Sequence, residues 1–150
     1  MSLPERSAES AAQYQEMILD HDRRPRNKGT LENPDAQAEM RNPLCGDEID
    51  LQVAFAGDKV GDLRFSGRGC SISQASASMM TQIVKGKSTA EVDDIRNRFR
   101  ELVLGDLTAA TDARLGSLRA FSGVSRFPAR VKCALLAWNA LDSVLAPRKI

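Results

Sequence analysis

The chain has 150 residues, 42% hydrophobic and 27% charged, with 21 Lys and Arg against 20 Asp and Glu. That length predicts one domain spanning 1–150 with a substantial core, and the balanced charge excludes nucleic-acid binding driven by bulk electrostatics. The longest apolar run, Ala134 to Trp138, is too short to cross a bilayer, the polar start from Met1 to Arg6 does not read as a secretory signal, and three cysteines are an odd number that fits no disulfide framework. A cytoplasmic chain without membrane contact is expected. In a reducing compartment its thiols are buried groups, metal ligands or reactive groups.

In chain order, Ser7 to about Arg23 reads as a surface helix. Ala11, Tyr14, Ile18 and His21 fall on one thin stripe, with Met17 beside it. The single histidine, His21, lies near the helix end, where capping or packing is a commoner role than metal ligation. Pro25 and Gly29 mark the stop. The basic turn between Arg23 and Lys28 has two readings, a solvated turn or a docking patch for an acidic partner. From Ala36 to Arg41 small or apolar residues alternate with polar ones, a half-buried strand. Ile49, Leu51, Val53 and Phe55 give a cleaner alternation. Gly57-Asp58-Lys59 then reads as a hairpin turn, and Leu63 and Phe65 carry the apolar face back. A three-stranded antiparallel meander with one apolar face follows.

Ser71-Ile72-Ser73-Gln74 has the form of a capping box, with Ile72, Ala75, Met79 and Ile83 as the buried stripe of a helix closed by Gly86. Ser88-Thr89-Ala90-Glu91 is a second box. It opens an amphipathic helix that buries Val92, Ile95, Phe99, Leu102 and Val103 and turns Asp93, Asp94, Arg96, Arg98 and Arg100 to solvent. Residues 106–126 are poorly periodic, and a short helix near Ala113 to Phe121 is expected there. Pro128 suits the first turn of a last helix. Its expected core stripe is Val131, Leu135, Trp138, Leu141 and Leu145, with Cys133 off the stripe. The fold class predicted is α+β, a three-stranded antiparallel sheet with helices packed on one face.

Chemistry is concentrated in Asn42-Pro43-Leu44-Cys45-Gly46-Asp47. A thiol and a carboxylate stand two residues apart, and Gly46 lets the backbone curl so that both can face one ion. Cys70 lies just before a helix start, where free N–H groups and the helix dipole favour an anion, and Arg68 nearby favours a thiolate. The alternative for Cys70 is a small buried residue at a tight turn. Cys133 sits between Arg130, Lys132 and the first turns of the last helix. Three thiols and one carboxylate match the number of ligands a tetrahedral zinc takes, and a hard oxygen among soft sulfurs suits a site that exchanges a ligand. A displaced thiolate is a nucleophile able to take the outer sulfur of a persulfide. Cys45, on the Gly/Pro loop, is the most mobile candidate. A cluster scaffold and a structural zinc module remain open as alternatives.

At these residues the chain resembles the SufU branch of the U-type iron–sulfur assembly family, relatives of the IscU scaffolds. The resemblance runs from Asp20-His21 with Pro25-Arg26-Asn27-Lys28-Gly29, through Asn42 to Asp47 and Gly67-Arg68-Gly69-Cys70-Ser71-Ile72-Ser73, to Pro128 through Trp138. The extra segment before Pro128 and Lys132 ahead of Cys133 point to this branch; IscU scaffolds lack the segment and carry a His before the last Cys. Asp22 and Arg24 stand where the family often has an aromatic residue and an Asn. The resemblance implies one zinc per chain on Cys45, Asp47, Cys70 and Cys133. It implies sulfur acceptance at Cys45 from a SUF-type, PLP-dependent cysteine desulfurase, a histidine of which takes over a zinc position on docking. It implies delivery of that sulfur to the SUF scaffold machinery.

Overall fold

The structure is a computed structural model and describes residues 8–148, with side chains from residue 12 onward. The expected helix start at Ser7 and the side chain of Ala11 fall outside those limits.

The sheet is a β1-β2-β3 meander of Ala36–Asn42 (β1), Asp47–Ala56 (β2) and Lys59–Arg68 (β3), all antiparallel. Alternation decides the faces. Ile49, Leu51 and Val53 of β2 and Val60, Leu63 and Phe65 of β3 are fully buried, and β1 adds Ala36, Ala38 and Met40 at the margin. β2 begins two residues before Ile49. Period two therefore carries Asp47 onto the same buried face, at the strand's first position.

Helices α1 (Ala8–Arg23), α2 (Ser71–Val84), α3 (Thr89–Val103) and α4 (Pro128–Leu145) cover that face. α2 lies at the centre, against α1, α4 and the sheet. It buries Ser73 through Thr81 on every side rather than along one stripe. Its run of Ala and Ser lets neighbours approach closely, and the hydroxyls find partners: Ser76 donates to the Ala134 carbonyl (2.7 Å) and accepts from Trp138 Nε1 (3.2 Å). The capping box expected at Ser71 does not form. The cap residue is Cys70, and the Ser73 hydroxyl turns back to the Cys70 carbonyl instead (3.0 Å).

His21 is buried and packs, its Nδ1 2.7 Å from Ser78 Oγ. Burial is the main cause that lowers its pKa from the usual histidine value. The basic turn is a structural splice. Arg24 and Arg26 both pair with Asp20 (3.0 and 2.7 Å), and the Arg26 N–H donates to Ser78 Oγ. Asn27 and Gly29 then bond the backbone of Phe65 on β3.

The capping box at Ser88 and Glu91 forms as expected, and α3 buries its five predicted residues. Its cationic face is not simply solvated. Arg96 and Arg100 reach Asp142 on α4, and Arg98 reaches Asp106 and Asp112. The Arg98 pairs anchor the start of residues 106–126, a string of short 3-10 turns kinked at Gly116. Leu115, Leu118, Phe121 and Val124 fill the core, where Phe99 meets Phe121 edge-on and Trp138 at a tilt. Leu107 stays exposed. α4 corrects the predicted stripe. Val131 and Leu135 are only half-buried, and Cys133, Ala134, Ala137, Ala140 and Val144 are inside. The helix lies between α2 and β1, so two flanks are covered and Cys133 belongs to the buried side.

Candidate metal centre

The β1–β2 hairpin closes at the Asn42–Asp47 pair, leaving Pro43, Leu44, Cys45 and Gly46 at its tip. Two bonds set the turn: the Cys45 N–H donates to the Asn42 carbonyl (3.2 Å) and the Leu44 N–H to Asn42 Oδ1 (3.3 Å). Gly46 then takes φ +69°, a left-handed conformation that glycine adopts without steric cost. The reversal brings Cys45 and Asp47 to the same side. Cys45 and Leu44 remain exposed, Leu44 at 84%.

Asp47 is fully buried at the root of the hairpin. Its Oδ1 accepts the backbone N–H of Cys70 (2.8 Å) at the first turn of α2, so the helix terminus stabilises this carboxylate. Its Oδ2 faces Cys70 Sγ at 3.8 Å. The expected role of Arg68 beside Cys70 is therefore not realised. Its guanidinium pairs with Glu48 (3.2 Å), and the anion at the helix start is Asp47.

Cys133 arrives from the first turns of α4, 2% exposed. Its Sγ is 3.4 Å from the Ala129 carbonyl and 3.4 Å from Cys45 Sγ. Burial, reinforced by the neighbouring Asp47 and thiols, pushes the Cys133 thiol up. Arg130 and Lys132, expected to support a thiolate, are exposed, with the Arg130 guanidinium over the Phe127 ring at 4.9 Å. The donor atoms of Cys45, Asp47 and Cys133 lie within 4.8 Å of one another. Cys70 borders that group through Asp47 and is not a member of it. His21 is remote from it, on the α1–α2 seam.

These donors suit a borderline-soft cation. Metal–sulfur bonds of about 2.3 Å at the tetrahedral angle space two thiolates by about 3.8 Å, close to the 3.4 Å between Cys45 and Cys133. A fully buried carboxylate needs compensation beyond one N–H, and a divalent ion reverses the effect of burial by holding adjacent thiols deprotonated.

A groove of about 750 Å³ opens at the cluster. Tyr14 and Ile18 of α1, Ile72 of α2, and Val124, Phe127 and Arg130 line it beside all three cysteines. The segment 106–126 thus supplies part of the wall, through Ala120 and Val124, a role that sequence periodicity did not reveal.

A small α+β domain with thiols gathered at one end of its sheet is the class that this fold and site define. The chain belongs to the NifU-like N-terminal domain family, whose profile matches residues 13–134. It is 46% identical over 134 residues to the zinc-dependent sulfurtransferase SufU of Bacillus subtilis, covering 89% of each chain. It is 43% identical to the iron–sulfur cluster assembly scaffold protein IscU of Streptococcus pyogenes, covering 88% of this chain and 82% of that one. A crystal structure of a proposed iron–sulfur cluster assembly scaffold for the SUF system, from Fervidobacterium islandicum, superposes with a TM-score of 0.80 at 36% identity, covering 91% and 98% of the two chains. The three-stranded antiparallel sheet with its covering helices is the fold of that family. Among the described residues no helix is long and apolar enough to cross a membrane.

Proposed function

We propose that the chain is a zinc-dependent sulfurtransferase that accepts persulfide sulfur at Cys45 from a SUF-type, PLP-dependent cysteine desulfurase and passes it to iron–sulfur cluster assembly. The observation that carries this reading is the pairing of an exposed thiol with a buried one: Cys45 at a hairpin tip, 3.4 Å from Cys133. Cys45, Asp47, Cys70 and Cys133 would hold one zinc ion per chain. Cys70, its Sγ 3.8 Å from Asp47 Oδ2, would be the fourth donor. Bound zinc keeps its thiol ligands deprotonated and resistant to oxidation without redox chemistry of its own.

The transfer itself needs only sulfur chemistry. The Cys45 thiolate attacks the outer sulfur of the donor's persulfide. A new bond joins Cys45 Sγ to that sulfur as the donor's S–S bond breaks, and the electron pair leaves on the donor's thiolate. Cys45 then carries the persulfide at the mouth of the groove. Arg126, Arg130 and Lys132, all exposed beside Leu44 and Phe127, form a cationic rim with apolar contacts for the desulfurase. The name of the Bacillus relative supports the transferase reading. That of the streptococcal relative supports a second one, in which the same thiols hold a cluster under assembly.

Native mass spectrometry before and after incubation with the cognate desulfurase and cysteine separates the two. One zinc per chain, followed by added sulfur mapped to Cys45 and absent from Cys45→Ala, is expected. Iron with inorganic sulfide in place of zinc would favour the scaffold. Zinc without added sulfur would leave a structural zinc module.

A further inference from the structure

The backbone of residues 67–70 passes unusually close to the β1–β2 hairpin. Gly69 has φ +150°, and a Cβ placed on it would stand 2.2 Å from Asp47 Oδ1, 2.9 Å from Asp47 Cα and 3.0 Å from Asp47 Cγ. Real side chains do not show the first two of these contacts and rarely show the third, and two of the three atoms belong to the carboxylate itself. The hydrogen bond from the Cys70 N–H to Asp47 Oδ1 forms at the next residue. One peptide therefore both makes room for the carboxylate and bonds to it.

We propose that Gly69 is the positioning residue for Asp47: the side chain it lacks is the space the carboxylate occupies. This inference rests on the metal-centre reading above. Oδ1 accepts the Cys70 N–H, and Oδ2 is the oxygen without a backbone donor, facing Cys70 Sγ. The Asp47 side chain then cannot swing out of the site without breaking a backbone hydrogen bond at a helix terminus. No comparable constraint acts on Cys45, which is held by turn bonds on its own hairpin. Gly69 in this way keeps the carboxylate in place while the tip thiol exchanges. An outer-shell group that orients a ligand influences metal affinity by about ten- to a hundredfold.

The test uses the full chain loaded with zinc, and in parallel with cobalt, as wild type, Gly69→Ala, Asp47→Ala and the double variant. Zinc release to a chromophoric chelator and the cobalt d–d spectrum are the readouts, neither of which depends on sulfur transfer. Gly69→Ala is expected to release zinc about ten- to a hundredfold faster than wild type, and its cobalt bands are expected to move to those of Asp47→Ala. The double variant is expected to release zinc no faster than Asp47→Ala alone. A wild-type rate and spectrum in Gly69→Ala, or multiplying effects in the double variant, would overturn the proposal. If circular dichroism shows Gly69→Ala unfolded, the double variant decides: losing Oδ1 and Cγ removes the two carboxylate contacts and leaves the 2.9 Å contact with Asp47 Cα, so it is expected to melt at a higher temperature than Gly69→Ala, and a double variant no more stable than Gly69→Ala counts against the role. A wild type that takes up no zinc would instead sink the metal-centre reading, and this inference with it.

Discussion

The two sides of the thiol cluster are built differently. Asp47 and Cys133 are embedded. Asp47 occupies the first inward position of a buried strand face and bonds a helix N-terminus, and Cys133 sits on the covered side of α4. Cys45 is 3.4 Å from Cys133 yet rides on a four-residue hairpin tip with Leu44 beside it, 84% exposed. A cluster whose donors were all embedded would be a closed structural site, and one whose donors were all on loops would be poorly organised before it met its ion. Here an embedded pair and an exposed tip thiol lie side by side, the division that the proposed exchange at Cys45 needs.

Breaking the embedded side has the largest expected effect. Cys133→Ala removes a donor that the core holds in place, and zinc content, read by elemental analysis, is expected to fall from one ion per chain to none. Cys45→Ala is expected to keep the ion on three donors and to keep the fold, while persulfide acceptance disappears. Equal zinc loss in both variants would erase the distinction. Asp47→Ala comes next. It leaves the Cys70 N–H without its partner, and the metal-free chain is expected to lose about 1–3 kcal/mol in a denaturant melt.

A smaller effect concerns the α1–α2 seam behind the embedded side. Burial, and to a lesser extent the Arg26 charge, lowers the His21 pKa in the folded chain. The unfolded chain therefore binds that proton more readily. The stability linked to His21 is fully present above about pH 6.5, the unfolded value. It is lost as pH falls from there to the folded pKa, and levels off below it. His21→Gln is expected to flatten that stretch of a plot of melting temperature against pH. The smallest effect is at the tip: Leu44→Ser is expected to change stability by less than about 0.5 kcal/mol and to leave zinc retention unaltered. Its measurable consequence is weaker desulfurase binding by calorimetry.

The sheet was legible in the sequence because period-two alternation acts locally, and Ile49, Leu51 and Val53 announce their own face. The same alternation, extended two residues back, already places Asp47 inside, a signal the loop-centred reading passed over. Ser71 misled because the helix begins one residue earlier than its box requires: the Gln74 N–H bonds the Cys70 carbonyl, so Cys70 is the cap and Ser71 is already the first helical residue. The stripe on α4 was misplaced because α2 and β1 cover two flanks, and no single-face periodicity encodes that. Residues 106–126 were opaque for a related reason, since Arg98 with Asp106 and Asp112 anchors their start through side chains that local pattern treats as solvated. The Cys45-Gly46-Asp47 spacing read correctly as a curl that presents both groups to one side, and the convergence of Cys133 required the whole fold.

The splice at Asn27 to Gly29 has a consequence for how the molecule behaves in a crowded solution. By bonding the Phe65 backbone in parallel fashion, it occupies part of the outer margin of β3, which would otherwise offer free amides and carbonyls to a strand from another molecule. The opposite margin, β1, carries Glu39 and Arg41 among its outward side chains, charges that discourage a flat neighbour. A domain that, on the proposed function, must keep the Cys45 thiol accessible is thereby less exposed to edge-to-edge aggregation.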